Sequence, residues 1–216
     1  MNRSRSATDR GIAATLVLLA LAFFWSAMLM AAAVNPGYSH GSDYVSTLAA
    51  RGAEHGWLGV LSIVAAACAM FATSLLLRPL SRAAAVAVAV AGVGFVVVAF
   101  TRLECSNGAA GCGRGGRFSI SGTTEVTHWT ATTVSTVLLI AGIALTGVAL
   151  LRAGHRLAGA ASVGAAAVTS GAFLAMGGQS PGGIQRLGIV VATGWLGSVA
   201  VATLAGREWS PPTSGG

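Results

Sequence analysis

Six apolar runs constrain this chain more than any other feature: residues 11–34, 57–77, 83–101, 128–151, 157–176 and 184–205. Each is near or above the roughly 20 residues that a helix needs to cross a hydrocarbon layer about 30 Å thick. In lipid a backbone must satisfy its own hydrogen bonds, so runs of this length and composition fold as helices. With 54% hydrophobic and only 9% charged residues, the chain also carries more apolar surface than a soluble domain can cover. The expectation is an all-α membrane protein, a six-transmembrane-helix bundle forming one membrane domain over residues 1–216. The first run has a second reading, because a basic start and Ala31-Ala32-Ala33 imitate a signal peptide with its cleavage site. Its apolar stretch exceeds the roughly 7–15 residues of a signal core, which favours a retained helix.

The breaks between runs set orientation. If the N-terminus is cytoplasmic, inner segments hold Arg3, Arg5, Arg10, Arg78, Arg82, Arg152, Arg156 and Arg207, eight arginines against five outside, Arg51, Arg102, Arg114, Arg117 and Arg186. Inner arginines in short loops are the usual pattern, so both termini are expected in the cytoplasm. All 13 basic residues are Arg, and Ala and Gly are abundant, which fits a GC-rich bacterial genome and a bacterial plasma membrane. The net charge of +7 is scattered at the ends of apolar runs, with no basic stripe and interleaved aromatics. It therefore argues for membrane lipids as partners and against nucleic acid. A protein partner or a homo-oligomer within the membrane is left open.

Polar chemistry concentrates in three places. Residues 35–52 hold both tyrosines, His40, Asp43 and several hydroxyls. Ser42 or Asp43 is placed to cap a short outer interfacial helix after helix 1, and Gly52 stands where a left-handed C-terminal cap belongs. The Gly-rich loop 102–127 carries Cys105 and Cys112, expected to form a disulfide on an oxidising face. Two cysteines without a nearby His pair make a poor metal site, and neither metal nor cofactor is expected. Cys68, inside an apolar run, reads as a small core residue. Along the fourth run His128, Thr132, Ser135 and Thr136 share a face. Either the hydroxyls bond back to their own helix and His128 sits among headgroups, or the face lines a cavity.

Glycines at 154, 159 and 164, and at 188, 194 and 197, are expected where helix backbones approach closely. Gln185 and Arg186 open the sixth run at the same depth as His128, so a candidate outward ligand site comprises Asp43, Ser46, His128, Thr132, Gln185 and Arg186. Asp43, His128 and Arg186 are expected to converge, with residues 38–50 folded over them.

The segments Asn35-Pro-Gly-Tyr-Ser39, Asp43-Tyr-Val-Ser46 and Leu48-Ala-Ala-Arg-Gly52, the lone His128, and Gly183-Ile-Gln-Arg-Leu-Gly188 followed by Gly194-Trp195 resemble the prokaryotic membrane-protein family known as domain of unknown function 998. The resemblance implies a six-helix integral membrane protein with no assigned activity, and supplies no catalytic residues. Binding of a lipid headgroup or small anion at the outward pocket asks least of these residues. One alternative is an intramembrane lipid hydrolase or transferase using His128 with Asp43 or Ser46, similar in residue types to the ceramidase and progestin-receptor-like hydrolases, which however use several histidines. The other is a small transporter, which usually shows broken helices or mid-membrane charges that this chain lacks.

Overall fold

The computed structural model describes residues 3–104, 122–176 and 180–206, and for residues 3–6 the backbone alone. Cys105 and Cys112 lie outside the described residues, as do Arg114, Arg117 and Arg207. The elements are α1 (Arg3–Ala33), a 3-10 helix (Val45–Ala49), α2 (Gly56–Leu77), α3 (Arg82–Phe100), α4 (Thr123–Arg152), α5 (Arg156–Ala175) and α6 (Pro181–Leu204). All six α-helices contain stretches long and apolar enough to cross a membrane. Each begins earlier than its apolar run indicates, most of all α1 at Arg3 and α4 at Thr123. Run length reports hydrocarbon thickness, whereas a helix continues until something stops it, here Gly122 in extended conformation before α4.

Local chemistry sets the turns. Ser81 Oγ accepts the Ala84 N–H at 3.2 Å and so caps α3 just after Pro79. Pro181 occupies the first turn of α6, where a missing N–H costs nothing. Consecutive helices pack side by side and α6 closes on α1, so the six form a ring in chain order, with α2 leaning across to α6.

Because lipid is as apolar as the interior, polarity does not sort the faces of each helix, and inward positions take small residues alongside Leu21, Phe24 and Met28. On α1, Ala13, Ala14, Val17, Ala27 and Ala31 point inward, while Ile12, Leu16, Leu19, Phe23 and Met30 are about half exposed. At the end with the short loops Val17, Ala69, Val88, Ile143, Leu196 and Ala200 form a closed core. Cys68, expected in the interior, instead faces outward. Gly159 and Gly147 press α5 and α4 together, where a Cβ on either would lie 3.0 Å or less from the other's carbonyl oxygen. A Cβ on Gly188 would lie 3.3 Å from Ala172 Cβ, a looser approach, and Gly164 and Gly194 look onto open space and are not contact positions. Trp195, buried in α6, donates its Nε1–H to Ser162 Oγ of α5 at 3.1 Å.

Candidate functional site

The other end of the ring is roofed by residues 34–55, a strap that runs from α1 to α2. Asn35 joins its two ends: Nδ2 donates to Ala31 O at 2.7 Å and Glu54 O at 2.8 Å, while Oδ1 accepts the Glu54 N–H at 2.8 Å. Asp43 does not cap the short helix; its carboxylate folds the chain before it, accepting from Ser39 N–H at 2.7 Å and Ser42 Oγ at 3.0 Å. Tyr44 stands at the N-cap, and its side chain makes no capping hydrogen bond. Gly52 does not take the left-handed position either. His55 does, at φ 51°, where the strap turns into α2.

Two arginines grip this strap by its carbonyls. Arg102, just past α3, closes the C-terminal end of the 3-10 helix with Nε on Ala49 O at 2.7 Å and Nη2 on Ala50 O at 2.9 Å. Arg186 of α6 reaches the other end: Nη1 donates to His40 O and, at 3.2 Å, to Asp43 O, and Nη2 donates to the Tyr38 hydroxyl. The guanidinium carbon also lies 5.2 Å from the Tyr38 ring centroid, within reach of a cation–π attraction. Further bonds run from Val45 N–H to Gln185 Oε1 at 2.7 Å, from the Tyr44 hydroxyl to Met176 O at 3.1 Å, and from Gly183 N–H and Ser180 Oγ to Gly41 O at 3.0 and 2.9 Å. The strap can lie this deep only because Gly59 and Gly182 carry no side chain. A Cβ on Gly59 would meet the backbone of Leu48 and Ala49 at 2.5 Å, and one on Gly182 would meet Asp43 O at 2.3 Å. Leu48, Ala49 and Ala50 are accordingly buried.

Burial pushes the Tyr38 phenol up to about 12 against the opposing pull of Arg186, and burial also raises Tyr44. A Tyr44→Phe protein titrated by tyrosinate absorbance should therefore show no ionisation near the ordinary value of 10.0 and a single step at about 12. The neutral Tyr38 stabilises the fold fully below pH 10.0, and that contribution is lost as pH rises through about 12. A step at the ordinary value would place the phenol in water.

Under the strap lies a cavity of about 130 Å³ with walls from all six helices. Val45 and Ser46 form its roof, and Met70, Leu139, Ala192 and Leu196 belong to the side facing the closed core. A cavity on the order of 150 Å³ holds a benzene-sized molecule, so this one has room for a short segment of a hydrocarbon chain. Of the candidate site residues, Ser46, Thr132 and Gln185 line this space, and Asp43 and Arg186 meet above it through the Asp43 carbonyl. His128 is not on its wall. It is buried with Nδ1 2.6 Å from Thr101 O at the end of α3, and its Nε2 has no partner among the described residues. Among those residues no three His, Cys, Asp or Glu side chains are grouped to hold a metal. Nothing in the sequence marks Arg102, Asn35 or Gly59 as a residue that holds the strap: each is a common residue at a run boundary or inside a run, with no telling spacing.

No curated protein and no solved structure matches the chain. A family profile described as "Protein of unknown function (DUF998)" matches residues 18–202, most of the chain and including the strap, the cavity and both arginines. The chain belongs to that family.

Proposed function

We propose that this multi-pass membrane protein binds the hydrocarbon part of a membrane amphiphile in the cavity beneath the strap. The observation that carries this reading is the cavity itself: a mostly apolar chamber, built by every helix, beneath a roof held down by two arginines. Filling it is the test. Ala192→Leu and, independently, Ala66→Leu each add three carbons to the lining, since both alanines are buried on its wall. Native mass spectrometry of the purified protein should show lipid on the wild type and none on either variant, with melting temperature equal or higher. Undiminished lipid on folded, filled variants would sink the reading.

A headgroup or small anion at Arg186 is the second reading, favoured by one observation: Arg186 Nε is buried without a partner among the described residues. An anion there would compete with the strap for the same guanidinium. The hydrolase reading needs His128 beside Asp43 or Ser46, whereas its Nδ1 is engaged with Thr101.

The arginine count supports a strap facing out of the cell, with both termini in the cytoplasm. Reporter fusions after Arg82 and after Arg156 should be active with a cytoplasmic reporter only. Activity of an external reporter at either point would reverse the orientation.

A further inference from the structure

The polar atoms around the cavity discriminate among amphiphiles. Gln185 is an amide whose two terminal atoms play opposite roles, and the Val45 N–H can only donate, so the atom 2.7 Å away is Oε1. Nε2 is thereby left as a donor on a side chain that lines the cavity, and among the described residues it has no acceptor. The hydroxyls divide in two. Thr132, Thr169 and Thr193 donate into their own helix, to His128 O, Ala165 O and Ile189 O at 2.8, 2.8 and 2.7 Å, and offer the cavity lone pairs only. Ser46 and Thr136 line the same space with no hydrogen-bond partner among the described residues. Three unspent donors therefore border one chamber. Among the described residues that line it, none is ionisable. Arg186, next to Gln185, commits both Nη atoms to the strap.

A charged headgroup drawn inside would lose its water, and no ionisable side chain on the wall would answer its charge; Arg186, above the cavity, has only Nε free of the strap. A group that accepts hydrogen bonds without carrying charge would satisfy the donors at little cost. We infer that the occupant of the cavity is an uncharged amphiphile whose polar end is a carbonyl, an ester or ketone, that accepts from Gln185 Nε2 with Ser46 and Thr136 alongside. This rests on the cavity being a hydrocarbon site, and adds which chemistry it selects.

The test uses the full chain in nanodiscs and four probes that share one saturated chain: the methyl ester, the alcohol, the alkane and the carboxylate, each competing against labelled methyl ester. The ester should bind tightest and the carboxylate weakest, with the ester exceeding the alkane by about three- to tenfold, the scale of one buried hydrogen bond. Gln185→Glu at mildly alkaline pH keeps an acceptor for the Val45 N–H and removes the amide donor. It should lower ester affinity by about three- to tenfold, leave the alkane unchanged, and keep the Val45 amide protected from hydrogen exchange. Ser46→Ala and Thr136→Val should each act the same way to a smaller extent. If Ala192→Leu weakens all four probes but the wild type binds them alike, or binds the carboxylate best, the hydrocarbon site stands and the carbonyl assignment falls. If Ala192→Leu binds all four as the wild type does, the site itself falls.

Discussion

Gly59→Ala is expected to lower the melting temperature by about 2–12 °C and to expose the backbone of the 3-10 helix to hydrogen exchange. The new Cβ would lie 2.5 Å from Leu48 C and O and from Ala49 N, and backbone atoms cannot rotate aside as a side-chain tip can. Overpacking of this kind costs about 1–3 kcal/mol, and for a chain of this size each kcal/mol moves the midpoint by about 2–4 °C. The strap gives way before α2 does, because it is held by a handful of hydrogen bonds whereas α2 is tied to α1 and α3 along its length. Gly164→Ala is the matched control. It faces open space on α5, so the gain in helix propensity, about 1 kcal/mol, should leave stability unchanged or raised. Equal melting temperatures and equal strap protection for the two variants would remove Gly59 as the seat of the strap.

The second large effect is expected at Arg186. Removing it with Arg186→Ala leaves His40 O, Asp43 O and the Tyr38 hydroxyl without their shared donor. Hydrogen bonds from a charged group contribute about 1.5–3 kcal/mol, so the strap should become cleavable by added protease and the midpoint should fall. Arg186→Lys should recover little of the loss, because a single ammonium on a flexible stem does not reproduce a planar fork that meets two carbonyls and a phenol together. Tyr38→Phe keeps the ring beneath the guanidinium and removes only the acceptor. In a double-mutant cycle the two sites should couple by about 0.5–3 kcal/mol. Wild-type strap protection in Arg186→Ala would mean that the guanidinium serves lipid headgroups instead.

Legibility in the sequence follows a physical line. Six spans and the turns between them could be read directly, since a bilayer imposes a length on every apolar run and Pro79, Gly154 and Pro181 punctuate where the runs stop. Helix ends beyond the bilayer were less legible: the start of α4 at Thr123 lies in polar sequence, where no hydrocarbon enforces the limit. Facing was least legible. Cys68 and Ala67 are neighbours in one apolar run, yet one faces outward and the other is fully buried. Both faces of such a helix are apolar, and only steric fit against the next helix separates them.

The candidate site shows the same division. Its residue types were evident because ionisable groups at the edge of a bilayer are rare, and the polar segment 35–52 stood out from its surroundings. Arg51, Arg102 and Arg186 look alike as arginines of the segments between runs and their edges, but Arg102 and Arg186 grip strap carbonyls while Arg51 pairs with Glu104 in solvent, at 3.5 Å. His128 and Thr132 share a helical face by spacing, yet only Thr132 reaches the cavity, because the longer imidazole turns sideways to the Thr101 carbonyl. By itself the sequence determined that the chain is six membrane helices, since the hydrogen-bonding demand of backbone in lipid is met locally, run by run. Which polar residues share a site was decided only by the tertiary structure, because that depends on how deep a strap can sink, and the depth is set by Gly59 on the next helix and Gly182 on α6, far from the strap in the chain.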